Sequence, residues 1–399
     1  MKFTHMADCH IGGWRDPRMK DLPVLAFIKA INDSMEKDVD FILISGDLFN
    51  TSHPPLDNLK IVVKKLKEAK DRHVPIYIVA GSHDFSATGK TIIDVLEEAG
   101  LVTNVVKGDV EENTLKLKFT IDKKTGAKIT GMLGKKGSLE KKFYERLDTK
   151  SLEKEEGFKI FMFHTSITEL KPKDLEKMES HPISLLPKGF DYYAGGHVHI
   201  VENKTFDDYR NVIYPGPLFP NSFKELETLR CGGYYIYNNG EISYEKVSIL
   251  NTEVFHFNAE NKTPEAVTEE IIQKVSKKEF VKTIVLLRIS GALKSGKPQD
   301  IDFSKIFKLI FAKGAYFAMR NTNKLLSQEF EEIQVKEDSI ESIEDKIIDE
   351  HKSSAPIADD EKRLIRNLMK ILSQEKREDE KAAEYEKRTL DEANRIFDI

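Results

Sequence analysis

Aspartate and histidine recur in this chain at the ends of short apolar runs. Phe3 to Ala7 leads into Asp8-Cys9-His10, Phe41 to Ser45 into Gly46-Asp47, and Ile76 to Ala80 into Gly81-Ser82-His83-Asp84. Further along, Lys159 to Phe163 ends in His164, and Tyr192 to Ala194 in Gly195-Gly196-His197-Val198-His199. Imidazole mixed with carboxylate suits a borderline divalent metal such as Mn, Fe or Zn better than Mg or Ca. Two such ions about 3.5–4 Å apart clamp a phosphate ester and neutralise its oxygens. One carboxylate must bridge them, and Asp47 is the natural candidate because it follows a glycine on a tight turn. His197 and His199, two apart on a strand, point to one face. Each element alone is weak: Asp-X-His arises by chance, and a strand-end Asp often caps a helix. The argument rests on their recurrence, in order, at successive strand ends.

The segments that must position these residues read as an α/β layer. Phe41-Ile42-Leu43-Ile44 and Ile76-Tyr77-Ile78-Val79 are continuously apolar, as strands buried on both faces are. Helical patterns at 25–36 and 59–70 lie between them, the second with Leu59, Val62, Val63, Leu66 and Ala69 on one face. Alternating strand and helix predicts a layered α/β domain. Ligands in such sheets gather beyond the carboxyl ends of the strands, so these ends can pool their side chains at one edge. Residues 108–157, richer in Lys, Glu, Thr and Gly, read as edge hairpins. The domain closes around Tyr214-Pro215-Gly216-Pro217 and a strand at 233–237, followed by the turn Asn238-Asn239-Gly240. A small α+β unit follows, with strands at 254–257, 283–289 and 315–320 and helices at 264–277 and 303–311. The expected boundaries are 1–248, 249–332 and 333–399. In the last segment Ile340, Ile343 and Ile347 mark one amphipathic helix, Ser353 to Pro356 break it, and Leu364, Leu368, Ile371 and Leu372 mark another. Leu390, Ala393, Ile396 and Phe397 continue that stripe.

The chain has 399 residues, 40% hydrophobic and 32% charged, as expected for a protein with a substantial core. It contains no apolar run of about 18 residues, so no membrane span is expected. The N-terminus enters a strand without a signal-like stretch, and the two cysteines, Cys9 and Cys231, fit a reducing compartment; a cytoplasmic protein is expected. A net charge of −5 argues against a standalone protein that coats nucleic acid by bulk charge. Any DNA contact must draw its positive field from local lysines, metal ions or a partner.

The string Asp8-X-His10, Gly46-Asp47, Gly81-X-His83-Asp84, His164, Gly196-His197-X-His199 resembles the calcineurin-like metallophosphoesterase superfamily. Gly46-Asp47-Leu48-Phe49, the Asp-X-His-X-Gly start, Phe163-His164-Thr165 and Tyr214-Pro215-Gly216 resemble, more closely, the SbcD-type (meiotic-recombination-eleven) DNA repair nucleases. The resemblance covers about residues 1–330. It implies a β-sandwich flanked by helices, a DNA-capping domain at 249–332, and a helical tail that docks a coiled-coil SbcC-type ABC ATPase. It further implies one metal on Asp8, His10, Asp47 and His199 and a second on Asp47, Ser82, His164 and His197, both most naturally Mn2+. His83 would face the leaving group as proton donor or charge stabiliser, oriented by Asp84. The implied activity is endonuclease and 3′-to-5′ exonuclease at DNA double-strand-break ends. Ser82 stands where the superfamily usually has Asn, a stronger ligand, and Asn50 where many relatives have His; His53 is a nearby substitute. The alternatives are a phosphodiesterase or phosphatase on other substrates, or a DNA-end tether with weak catalysis.

The remaining residues have plainer readings. His5 alternates with apolar neighbours and is expected to be buried and hydrogen-bonded. Cys9 is expected in the core, and His73, His181, His256 and His351 on the surface. Trp14 either contacts substrate or shields the site. Lys135-Lys136 and Lys141-Lys142 read as a solvated face that could touch phosphates. Leu59, Val63, Ile92, Ile93 and Leu96, on helices near 59–70 and 91–99, are candidates for an isologous homodimer face, which the resemblance also implies.

Overall fold

A computed structural model describes residues 1–327, except 87, 88, 136, 138, 173, 174, 176 and 177, and residues 361–374 and 382–396. Strand and helix alternate first: β1 (Lys2–Met6), α1 (Leu22–Glu36), β2 (Phe41–Ser45), α2 (Leu56–Asp71), β3 (Ile76–Val79), α3 (Ile92–Glu98) and β4 (Thr103–Asn104). A hairpin, β5 (Gly108–Glu111) and β6 (Thr114–Leu117), precedes β7 (Thr120–Ile121), β8 (Lys128–Met132), α4 (Lys141–Tyr144), α5 (Thr149–Glu153), β9 (Lys159–His164) and β10 (Tyr192–Gly196). The run continues through β11 (Glu202–Phe206), β12 (Tyr209–Tyr214), α6 (Phe223–Leu229), β13 (Gly232–Asn238) and β14 (Glu241–Val247). Next come β15 (Asn251–Asn258), α7 (Pro264–Ser276), β16 (Thr283–Leu293), α8 (Phe303–Ala312) and β17 (Phe317–Ser327). Met1–Glu329 forms one compact unit and Phe330–Ile399 another.

Two six-stranded sheets, ordered β14-β13-β1-β2-β3-β4 and β11-β12-β10-β9-β8-β7, make the sandwich. β1, β2, β3 and β4 run parallel, as do β12, β10, β9 and β8, so each parallel set has its carboxyl ends along one edge. Alternation divides the strand side chains between two cores. Phe41 and Leu43 pack between the sheets with Ile160, Met162, Tyr192 and Ala194, whereas Ile42 and Ile44 face α1 and α2. On α2 the buried residues are Val62, Leu66 and Ala69, a stripe at helical spacing. Thr91 caps α3 and Asp94 returns the bond to its backbone, which fixes where that helix starts.

The element order of the 251–327 segment is as expected, but its pairing is parallel throughout. β15 pairs with β16 and β16 with β17 in parallel, through α7 and α8, so the unit is βαβαβ. Ile284, Leu286 and Phe317 from it join the same apolar cluster as Leu218, Phe219 and Leu226. The proposed dimer face also differs from expectation. Ile93 and Leu96 point into the core, and Leu59, Val63 and Ile92 are half-buried against it. The exposed apolar residues on these helices are instead Leu56, Ile61 and Val95. In the second unit, α9 (Glu361–Leu372) and α10 (Ala382–Ile396) are joined by Tyr385 Oη donating to Gln374 O (3.0 Å) and by Gln374 Nε2 donating to Glu392 Oε2 (3.1 Å). Leu364, Leu368 and Ile371 are partly covered and Leu372 is exposed. Ile340, Ile343, Ile347, His351, the Ser353–Pro356 break and Phe397 lie outside the described residues. No helix among the described residues is long and apolar enough to cross a membrane.

Phe3 is the keystone of the inter-sheet core. Its ring stacks between Phe41 and Tyr237, each 4.8 Å away, and meets Tyr192 of the opposite sheet edge-on at 5.0 Å. Phe3→Ala should lower unfolding free energy by about 3–5 kcal/mol, from lost transfer energy plus a cavity. Leu139→Ala, at a position 62% exposed, should stay within about 0.5 kcal/mol of the parent. Urea melts of the two variants compare them directly.

Candidate metal centre

The backbone leaves each strand in a conformation that aims the side chain at the sandwich edge. Asp8 (φ 50°), His10 (φ 41°), Asp47 (φ 50°) and His197 (φ 92°) all sit at positive φ, where non-glycine residues are strained. Backbone bonds hold them there: Asp8 N donates to Gly46 O (3.1 Å) and His10 N to Asp47 O (3.0 Å). His197 N donates to both carboxylate oxygens of Asp8 at 3.1 Å, joining the two sheets. Gly81 is obligatory, because a Cβ there would lie 2.2 Å from Asp47 Oδ1.

Asp47 occupies the centre. His164 Nε2 lies 3.2 Å and His10 Nε2 3.6 Å from its Oδ2, and Ser82 Oγ donates to the same oxygen at 3.5 Å. Its Oδ1 accepts from His83 N at 2.8 Å. On one side, His10 Nε2 and His199 Nε2 approach Asp8 Oδ1 to 4.0 and 3.8 Å, and each other to 3.1 Å. On the other, the His197 ring lies 5.1 Å from that of His164. Among the described residues, three groups offer ligand atoms within 4.8 Å of one another: Asp8, His10 and His199; His10, Asp47 and His83; and Asp8, Asp47 and His164. Asp8, His10, Asp47, Ser82, His83, His164, His197 and His199 are thus brought to one place.

Asp84 is placed differently from expectation. Its carboxylate accepts from Gly81 N (2.9 Å) and Phe49 N (3.3 Å), bracing the turn, while His83 Nδ1 faces Asn50 O at 2.8 Å. The orienting partner of His83 is therefore a backbone carbonyl. His181, expected on the surface, is 2% exposed, with Nε2 3.5 Å from Glu140 Oε1 and its ring beside Tyr144. His5 is buried with Nδ1 3.1 Å from Tyr192 Oη, and Cys9 is in the core. The Trp14 indole donates to Pro220 O (2.9 Å) and packs on the core, which fits a shielding role. His53 is exposed, and the Lys135 ammonium sits 4.8 Å from the Phe143 ring centre. The sequence reading missed Glu225, whose Oε1 lies 3.2 Å from His199 Nδ1, and the Ser45 carbonyl, 2.9 Å from His164 Nδ1. An acidic residue in the first turn of α6 was the only signal for the former.

Enclosure sets opposing charge states within a few ångströms. Burial works against a charge on His164, but Asp47 and then Asp8 outweigh it and hold its pKa up at about 10. Burial likewise opposes the Asp47 charge, yet His164 and His10 hold that carboxyl far below the usual range. Burial raises Asp8 against the pull of His199 and His164. Asp84 rises to about 7 through burial and the neighbouring Asp47 charge. Burial takes His10 down to about 3, and burial with the His164 charge takes His197 to about 4. His199 is raised: burial opposes its charge, but Glu225 and Asp8 prevail.

This donor set fits divalent cations. Imidazole nitrogens crowd to 3.1 Å around two buried carboxylates, an arrangement that costs free energy unless positive charge is shared at the centre. Imidazole ligands must be neutral and carboxylates ionised, so metal entry displaces the proton held on His164. Divalent-metal affinity should therefore rise with pH up to about 10, the folded pKa of His164, with proton release. Calorimetry in buffers of different ionisation enthalpy measures both. In chelator-treated protein the sign for stability is opposite. The folded pKa of His164 is raised from 6.5 to about 10. Its ion pair with Asp47 thus contributes fully below the unfolded pKa and is lost as pH rises toward the folded one.

The profile of the calcineurin-like phosphoesterase family matches residues 1–201. The DNA double-strand break repair protein Mre11 of Methanococcus maripaludis is 27% identical over 275 residues, 64% of this chain and 68% of that protein. That of Archaeoglobus fulgidus is 24% identical over 359 residues, 85% of this chain and 77% of that protein. The uncharacterized metallophosphoesterase YhaO of Bacillus subtilis is 26% identical over 257 residues, 61% of this chain and 59% of that protein. The matched profile spans every candidate ligand from Asp8 to His199, and the chain belongs to the calcineurin-like phosphoesterase family, whose chemistry is metal-dependent phosphoester hydrolysis.

Proposed function

We propose that this chain is a two-metal DNA nuclease that processes double-strand-break ends, with endonuclease and 3′-to-5′ exonuclease activity and Mn2+ as its metal. The observation that carries the reading is the convergence of Asp8, His10, Asp47, His164, His197 and His199 at one sandwich edge, with His83 beside them. The substrate class comes from relatives described as DNA double-strand break repair proteins. In this reading Asp8, His10, Asp47 and His199 hold one cation, and Asp47, Ser82, His164 and His197 the other. Bound, the pair supplies Lewis acidity toward the phosphodiester and water acidic enough to attack it near neutral pH. His83 donates from Nδ1 to the Asn50 carbonyl, which leaves Nε2 free; with a second proton there, the imidazolium would protonate the leaving oxygen or stabilise its charge. Asp84 keeps the 81–84 turn in shape through its bonds to Gly81 and Phe49.

The same reading gives 249–332 the role of a DNA-capping domain, places the protein in the cytoplasm, and pairs two copies through α2 and α3, whose exposed Leu56, Ile61 and Val95 supply apolar surface. The tail, 333–399, docks a coiled-coil SbcC-type ABC ATPase. Leu364, Leu368, Ile371 and Leu372 form a stripe on a charged helix, the form in which an amphipathic helix meets a groove. Ser82 favours a second reading, a DNA-end tether with weak catalysis, because a hydroxyl is a poorer ligand than an amide carbonyl. A phosphodiesterase for other substrates would cleave a small aryl phosphodiester and leave DNA intact.

His83→Ser should abolish Mn2+-dependent nicking of supercoiled plasmid while both Mn2+ binding events persist in calorimetry. Loss of a binding event would make His83 a ligand, and absent nicking by the parent chain would favour the tether. Truncation after residue 329 should keep nicking and abolish co-purification with the ATPase. Full-strength capture by the truncated chain would remove the docking role.

A further inference from the structure

The imidazoles of the centre differ in what holds the ring from behind. The His164 Nδ1 partner is the Ser45 carbonyl and the His83 Nδ1 partner is the Asn50 carbonyl, both main-chain atoms. His199 lies beyond the end of β10 and its side chain is 24% exposed, against 0% for His164 and 5% for His10. Its Nδ1 faces Glu225 Oε1 at 3.2 Å, while its Nε2 turns to Asp8 and His10. Glu225 is itself held: Oε2 accepts from Asn221 N (2.9 Å), and Oε1 accepts from Ser222 Oγ (3.1 Å).

α6, which carries Glu225, has 7 residues, far below the length at which an isolated helix is stable. Tertiary contacts must keep it in place, and they come from two sides. Leu226 is buried in the sandwich-side core. From the other side, Arg288 on β16 grips Glu227 with two parallel bonds, Nε to Oε1 and Nη2 to Oε2, the strongest geometry for such a pair. The same guanidinium lies 5.0 Å from the Phe223 ring centre, and Thr252 Oγ1 of β15 donates to Arg230 O (2.7 Å) at the helix end.

We propose that Glu225 is a positioning residue of the metal centre, fixing the His199 ring with Nε2 toward the metal, and that Arg288 of the 251–327 layer holds it there through α6. An acceptor oxygen behind a ligating histidine fixes its tautomer and ring orientation, and loss of such a partner typically costs 10–100-fold in metal affinity. Arg288 then acts on the centre without approaching it: the 251–327 layer and the His199 ligand share one short helix. The inference rests on the metal-centre part of the proposed function.

Mn2+ titration calorimetry of the full chain tests it, with circular dichroism to confirm folding. Glu225→Ala should weaken one of the two binding events by about 10–100-fold and leave the other unchanged. Glu225→Gln keeps an oxygen that accepts from Nδ1–H and should recover most of that loss. Arg288→Gln should weaken the same event by a smaller factor. A folded Glu225→Ala protein with the parent titration overturns the positioning role. A Glu225→Gln protein no better than Glu225→Ala also overturns it, since charge rather than orientation would then be at work. An unchanged Arg288→Gln titration removes the link through α6. Should Glu225→Ala not fold, Glu225→Asp, which shortens the reach to Nδ1, is read in its place. His199→Ala separates the two levels. If it leaves both events intact, the metal-centre reading fails; if it removes one while Glu225→Ala is normal, only the positioning role fails.

Discussion

A carboxylate in a closed, apolar setting needs compensation on every side, and Asp47, 2% exposed, imposes that requirement on both sheets. Its two oxygens take His83 N, His164, His10 and Ser82, which come from the turn after β3, the end of β9 and the loop after β1. Removing a charge from water costs several kcal/mol unless partners are already in place. The order of strands must therefore deliver those partners together. Ser45, the last residue of β2, locks the sheets at this point: its Oγ donates to Ala194 O (2.9 Å) of β10, and its carbonyl faces His164 Nδ1. A Cβ on Gly196 would lie 1.9 Å from that same carbonyl oxygen. The segment Ser45-Gly46-Asp47 is thus both the seam of the sandwich and the heart of the site.

The elements were readable where one physical signal dominates. β1, β2, β3, β9 and β10 are almost wholly buried, so their composition is largely apolar, with Thr4 and His5 of β1 the interior exceptions, and Asp or His stands out at or just beyond each end. What partners those residues was less legible. Asp84 follows His83 directly, and adjacency suggested a pair. In the turn, however, its carboxylate folds back onto Gly81 N, and the ring of His83 finds a carbonyl 33 positions away. A main-chain acceptor has no residue type, so no reading of side chains could have named Ser45 or Asn50. Glu225 lies on a separate short helix with no fixed spacing from His199. His181 looked polar and isolated because its companion, Glu140, reaches it only through tertiary structure. On α3, Ile93 and Leu96 looked like surplus apolar surface, yet the first sheet has room for them and leaves Val95 outside.

The electrostatics of the centre also bear on how an acidic chain would meet the polyanionic substrate of the proposed reading. A net charge of −5 gives no general attraction for DNA, and the ligand cluster itself contributes the ionised Asp47 at its centre. The cations that this cluster would hold are then the main local source of positive potential where the scissile phosphate must lie. In the proposed reading, metal and phosphate are linked ligands: each site loaded with metal favours the phosphate, and by reciprocity the phosphate favours retention of the metal. The strength of that linkage depends on how well each ligand is held before substrate arrives. Ser82 provides only a hydroxyl, which leaves the cation shared by Asp47, His164 and His197 with less protein support. Its occupancy would then lean more on the substrate's own oxygens than that of the cation on Asp8, His10 and His199. In that reading, affinity for a phosphodiester and retention of the second metal would be one property of the site rather than two.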